Sequence, residues 1–153
     1  MRLLLLNVKD KGMRFITTCV LFAPLLLAGS ESRVVRGRRL FFGVEAVTGT
    51  IVGHKAAMPA AAVKCRNCHL VGDSAAQLSL GPRLNRDTLL DLQKRRGAPP
   101  SAYDERAFCR TLRTGVDPAY VVIAPQMPRY QIDDEQCRSL WLYLTEQPGG
   151  RKR

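Results

Sequence analysis

Histidine is almost missing from this chain: its 153 residues include two, His54 and His69. With so little imidazole, a His-rich metal cluster cannot be assembled. Acid is short as well, 13 residues against 24 basic ones, a formal charge of +11. Such a surplus suits an acidic protein partner, an anionic membrane face or nucleic acid, besides a plain solvated surface. The nucleic-acid reading lacks its platform, because no aromatic residues are interleaved with the arginines for bases to stack on. Long apolar runs are missing too. Residues 15–28 fall short of the roughly 20 that a transmembrane helix needs, and Arg33, Arg36, Arg38 and Arg39 follow closely. The length itself supports one domain of modest size.

Against that background one pentapeptide stands out. Cys65-Arg66-Asn67-Cys68-His69 reads CxxCH, the attachment site of a c-type haem. The spacing is what the chemistry requires: two thiols one helical turn apart reach the two vinyl groups of one porphyrin, and the adjacent imidazole lies under the iron. A bare CxxC also suits a redox dithiol or half of a zinc site, so the histidine after the second cysteine carries the discrimination. Zinc lacks further ligands, since His54 precedes the motif and Cys109 and Cys137 stand far from one another. A thioredoxin-like site lacks the surrounding alternation of strong strands and helices.

Residues 1–30 read as an export signal. Lys9, Lys11 and Arg14 form a basic lead, residues 15–28 are apolar, and Ala28-Gly29-Ser30 offers small residues for cleavage. Met13 is an alternative start, which would make residues 1–12 an extension. Cleavage leaves a domain over 31–153 with 20 basic and 12 acidic residues, a formal +8. That domain is expected in the periplasm without a membrane span; an uncleaved signal would leave it anchored. Export argues against a nucleic-acid partner. Cys19 leaves with the signal, and giving Cys65 and Cys68 to haem leaves one pair, Cys109 and Cys137, where disulfides persist. They are expected to be bridged, the alternative being two small buried hydrophobes on helix faces.

Four helices are predicted. The first, over 34–42, sets Gly37, Leu40 and Phe41 at helical spacing. A glycine inside a helix costs about 1 kcal/mol against alanine, so Gly37 is expected to permit a close helix crossing with Phe41 packed alongside. Residues 43–62 sustain no period and read as an irregular connection, with a short hairpin at Thr48-Gly49. A helix over 88–96 is predicted from Asp87 as N-cap and Gly97 as left-handed stop, with Lys94, Arg95 and Arg96 at its negative end. The next spans 105–114, capped by Ser101 or Asp104, with Phe108, Cys109 and Leu112 on one stripe and Gly115 at its end. Pro118, Pro125 and Pro128 make 116–130 a stiffened loop. The last helix is the clearest: Asp133 caps it, Gln136 stands three residues on, and Cys137, Leu140, Trp141 and Leu144 follow on one face before Pro148-Gly149. The first and last helices are expected to pack together, because each needs a partner for its apolar stripe. Arg151-Lys152-Arg153 reads as a frayed basic tail.

The second axial position on the iron has three candidates: His54, Met58 and Met127. Met127 is favoured, because Pro128 disfavours helical backbone before it and holds it extended in a loop that costs little entropy to order. Met58 also precedes a proline, but stands seven residues before Cys65 in the segment of weakest structure.

Taken in order, Gly37 and Phe41, the CxxCH motif, Gly81-Pro82, Thr114-Gly115, Met127-Pro128-Arg129-Tyr130 and Leu140-Trp141-Leu142-Tyr143-Leu144 make residues 36–146 resemble a class I c-type cytochrome. The resemblance implies an all-α fold, a small cytochrome c-like helical domain wrapped around one covalently attached haem. It implies thioether bonds to Cys65 and Cys68, with His69 and Met127 on the iron. It also implies that the Pro82 carbonyl accepts the other ring N–H of His69. The chain departs from the family in the long separation of Gly37 from Cys65 and in the Cys109 and Cys137 pair.

The implied function is electron carriage between redox protein partners rather than catalysis. Lys64, Arg66, Arg83, Arg86 and Arg129 flank the ligand segments and suit an acidic docking face, unless they are dispersed surface charges. Two other readings stay open. One is a cytochrome subunit of a periplasmic dehydrogenase or oxidase complex. The other is a ligand-binding or peroxidase-like haem protein with a labile Met127, for which His54 is the only spare imidazole.

Overall fold

Apolar stripes at the two ends of the chain find each other. In the computed structural model residues 31–71 and 79–146 are described; residues 1–30, read above as an export signal that includes Cys19, and the basic tail of 151–153 lie outside them. Helix α1, Arg33–Phe42, starts at Ser32, whose side chain accepts the Val35 N–H, and stops at Gly43 in the left-handed conformation. Helix α4, Asp134–Glu146, starts from a reciprocal capping box. Asp133 accepts the Gln136 N–H at 2.7 Å, and the Gln136 side chain accepts the Asp133 N–H at 3.1 Å.

The α1 and α4 backbones meet at Gly37, where a Cβ would come within 2.6 Å of the Ser139 carbonyl carbon. Leu40, Phe41, Leu140, Tyr143 and Leu144 are buried around this crossing, with the Phe41 and Tyr143 rings 5.8 Å apart. Each buried Leu or Phe contributes roughly 1.5–3 kcal/mol. The expected pairing of first and last helix, and the part played by Gly37, are therefore both found.

Helix α3, Glu105–Thr114, is capped by Asp104, which accepts the Ala107 N–H, and ends at left-handed Gly115. It lies on α4 through the Cys109–Cys137 disulfide and the Phe108 and Trp141 rings, whose centroids are 5.4 Å apart. The expected bridge is present. Among the described residues no helix is long and apolar enough to cross a membrane.

Two expectations need correction. The helix predicted over 88–96 is instead α2, Arg86–Leu90, capped by Asn85 in a capping box with Thr88. Its apolar stripe has no core to face beyond Leu89: Leu92 is exposed. The chain turns there into a hairpin, with Gln93 paired to Ser101 and with Arg96 and Gly97 at φ 45° and 77°. Arg95 makes this turn worthwhile. Its guanidinium donates to the carbonyls of Thr88 and Ser101 and lies 4.9 Å from the Tyr103 ring centre.

The second correction concerns Thr48-Gly49, which forms no local hairpin. Strand β1, Thr48–Thr50, pairs antiparallel with β2, Arg129–Gln131, in the register Gly49 to Tyr130. Among the described residues the architecture is thus mainly helical, as expected, four α-helices with a minor two-stranded sheet added to them. Gly49 is small for a reason, since a Cβ there would stand 3.1 Å from the Pro128 Cβ. The pairing anchors the chain immediately after Met127.

Candidate haem-binding site

The CxxCH segment folds as a 3₁₀ turn, Cys65–Asn67. The Cys65 carbonyl accepts the N–H groups of Cys68 (3.1 Å) and His69 (2.9 Å), which brings both thiols and the imidazole round one turn. Asn67 supplies the local reason: its side-chain amide donates to the carbonyls of Ala61 and Ala62, pulling the incoming chain against the turn. Tyr130 adds a longer-range tether, its hydroxyl donating to the Val63 carbonyl at 3.0 Å. Cys65 and Cys68 are both unbridged.

His69 is buried, and its Nδ1 stands 2.7 Å from the Pro82 carbonyl oxygen. A carbonyl can only accept, so Nδ1 carries the proton and Nε2 keeps the lone pair that a metal would take. Burial holds the His69 pKa below its ordinary value against the opposing pull of that hydrogen bond. The imidazole is therefore neutral near pH 7. Gly81 makes the approach possible, since a Cβ would fall 2.5 Å from His69 Cε1. Burial also pushes the Cys65 thiol up to about 11 and raises the Tyr130 phenol, the mark of a dry, apolar wall.

Two neighbouring cavities, of about 350 and 400 Å³, share His69, Pro82, Arg96, Ile123 and Met127 in their linings. Volumes of this size suit a cofactor. The larger adds Cys65, Cys68, Met58 and Tyr130; the smaller adds Leu89, Tyr103, Phe108 and Leu112. All five sequence-predicted site residues, Cys65, Cys68, His69, Pro82 and Met127, thus line one cavity.

The three axial candidates part company here. His54 is exposed and lines neither cavity. Met58, hooked to β1 by its N–H on the Gly49 carbonyl at 2.8 Å, borders only the cavity that holds the cysteines. Met127 borders both, as His69 does. It closes a turn whose Ala124 carbonyl accepts its N–H at 3.1 Å, and its own carbonyl accepts Arg129 at 2.6 Å.

The donor set fits a covalently held haem. Two free thiols one turn apart, a neutral imidazole with its outer nitrogen fixed, and a thioether bordering the same pair of cavities are what such a group needs. Among the described residues no three His, Cys, Asp or Glu side chains gather as a metal-ion cluster, so the motif has no companions of the kind a zinc site uses.

The basic residues divide. Lys64 lines the larger cavity and Arg83 the smaller. Arg66 lies 5.9 Å from the Phe42 ring centre. Arg86 and Arg129 are committed to the carbonyls of Thr145 and Met127. Arg95, Arg96 and Tyr103 join the cavity wall without having been legible as site residues, because the hairpin of 93–101 that brings them there depends on the positive φ of Arg96. Asp117, wholly buried behind Arg96, left no trace in the sequence pattern. Searches against family models, curated proteins and solved structures returned no match.

Proposed function

We propose that the chain is an exported monohaem c-type cytochrome, a cytochrome c-like domain that carries single electrons between protein partners in the periplasm. The observation that carries this reading is His69: it follows two unbridged cysteines, its Nδ1 is fixed by the Pro82 carbonyl, and it borders the same two cavities as Met127. Cys65 and Cys68 would hold the haem through thioether bonds, and His69 and Met127 would take the two axial positions. When bound, haem supplies iron that cycles between Fe(II) and Fe(III).

The protein's own residues do the rest. Pro82 orients the imidazole, and the apolar lining of Leu89, Phe108, Leu112 and Ile123 excludes water. A thioether is a poor donor to Fe(III), so Met127 as a ligand would raise the potential relative to a second imidazole. Lys64 and Arg83, on the cavity linings, suit attraction of an acidic partner. The Cys109–Cys137 bridge agrees with an oxidising compartment.

The test is the optical spectrum of protein made in a host with the c-type maturation machinery, beside Met127→Ala. The wild type is expected to keep its haem after denaturation, to show the weak far-red iron–sulfur band when oxidised, and to resist cyanide and carbon monoxide. The variant should lose that band and bind both. A wild type that is already high-spin or binds these ligands readily would overturn the electron-carrier reading in favour of a ligand-binding haem protein.

A further inference from the structure

Asp117 is the one fully buried carboxylate among the described residues. Its Oδ1 accepts the N–H groups of Ala119 (2.9 Å) and Val121 (2.8 Å), and its own N–H donates to the Val121 carbonyl at 2.9 Å. The segment so folded is fastened at three points to α3 and the Gly115 that caps it. Arg110 donates to the Asp117 carbonyl at 2.9 Å, Thr111 to the Val116 carbonyl at 2.8 Å, and the Ile123 N–H to the Gly115 carbonyl at 2.8 Å. It then runs directly into the turn of 124–127 that presents Met127.

The other carboxylate oxygen is different. Oδ2 has no hydrogen bond and faces Arg96 Nη1 at 3.7 Å, an ion pair without a hydrogen bond. Arg96 sits at the tip of the 93–101 hairpin and lines both cavities, as do Ile123 and Met127. If the turn were all that mattered, asparagine would serve: its amide oxygen accepts the same two N–H groups with no charge to strip of water. The charge is accounted for by Arg96.

We propose that Asp117 is a positioning residue for Met127. One oxygen pins the arm of 116–127, and the other holds the Arg96 hairpin against it by charge, so that two walls of the cavity keep a fixed separation. The part of this that concerns the iron rests on the electron-carrier reading; the part that concerns the arm does not.

The experiment compares wild-type holoprotein with Asp117→Ala, Asp117→Asn, Arg96→Gln and the double variant of the last two. The first readout is amide hydrogen exchange. In Asp117→Ala the amides of Ala119, Val121, Ile123 and Met127 are expected to exchange at least about tenfold faster relative to those of α4 in the same sample, the factor for removing a charge-assisted hydrogen bond. Asp117→Asn and Arg96→Gln should each speed Ile123 and Met127 by a common factor, and the double variant should add nothing, because both remove one ion pair.

The second readout is displacement of Met127 from the oxidised iron by imidazole, expected at lower imidazole in the same rank order. Exchange in the arm that tracks α4 in every variant would reduce Asp117 to general stability and overturn the proposal, as would additive effects of Asp117→Asn and Arg96→Gln. If Asp117→Ala does not fold, the isosteric Asp117→Asn and Arg96→Gln decide by the same two readouts. A wild-type iron already open to imidazole would sink the electron-carrier reading alone, leaving amide exchange to judge Asp117.

Discussion

Gly37→Ala should damage this protein far more than a single methyl group suggests. An alanine Cβ would lie 2.6 Å from the Ser139 carbonyl carbon and 2.7 Å from Tyr143 Cβ, and closer still to the Ser139 oxygen. Carbon atoms settle at about 3.5–4.0 Å, so α1 and α4 must part by about 1 Å. The obstructing Ser139 atoms are backbone and cannot rotate aside. Overpacking of this kind costs about 1–3 kcal/mol, and a gap of that width forfeits a quarter to a half of the dispersion energy of the contacts it opens. Against this, alanine gains about 1 kcal/mol of helix propensity over glycine. The crossing also anchors Leu40, Phe41, Leu140 and Leu144, all buried to within 3 % of full enclosure, so the net loss should reach about 2 kcal/mol or more. For a domain of this size that lowers the melting temperature by about 8 °C. Thermal unfolding of the holoprotein followed by far-ultraviolet circular dichroism measures it. A variant as stable as the wild type would refute the argument, because it would mean the two helices do not meet at Gly37.

Replacing both Cys109 and Cys137 with serine removes a bridge across a sequence separation of 28 and should cost about 3–4 kcal/mol by loop-closure entropy; an unchanged denaturation midpoint, or two free thiols in the denatured, unreduced wild type, would contradict it. The Arg36 guanidinium, bonded to Glu45 at 2.8–3.2 Å, holds that carboxyl below its ordinary value. A lowered folded pKa stabilises above the unfolded value of about 4.3 and is lost as pH falls through the folded one. Wild type should therefore exceed Glu45→Gln by about 1 kcal/mol or less at pH 7, with the difference vanishing in acid. A difference that does not change with pH would show that the pair is not its source.

Much of the local structure was legible because it is set by neighbours in sequence. Asp104 and Asp133 sit at helix starts, Gly115 ends a helix with φ 74°, and the stripe Cys137, Leu140 and Leu144 is buried as its period requires. The helix over 88–96 misread the same signals. Asp87 and Gly97 are plausible boundary residues, but Asn85 caps first, and Arg95 satisfies backbone carbonyls that a longer helix would have used. Propensity gave way to a side chain whose partners are several residues distant.

Of the candidate site, the sequence alone determined the chemistry: two thiols and an imidazole at fixed spacing, and a thioether before a proline. The thiol, imidazole and Met-Pro relationships are covalent facts or one-turn spacings that no other part of the chain can change, whereas the reach of Pro82 to the His69 ring, 13 residues away, was only implied by the family resemblance and is made by the fold. The tertiary structure decided what those groups face. It paired Thr48–Thr50 with Arg129–Gln131 across the chain, left His54 in solvent, set Met127 beside both cavities and Met58 beside one, and buried Asp117 against Arg96. Such choices depend on which distant segments exclude water together, and burial of that kind has no period or spacing along the chain by which it could be read.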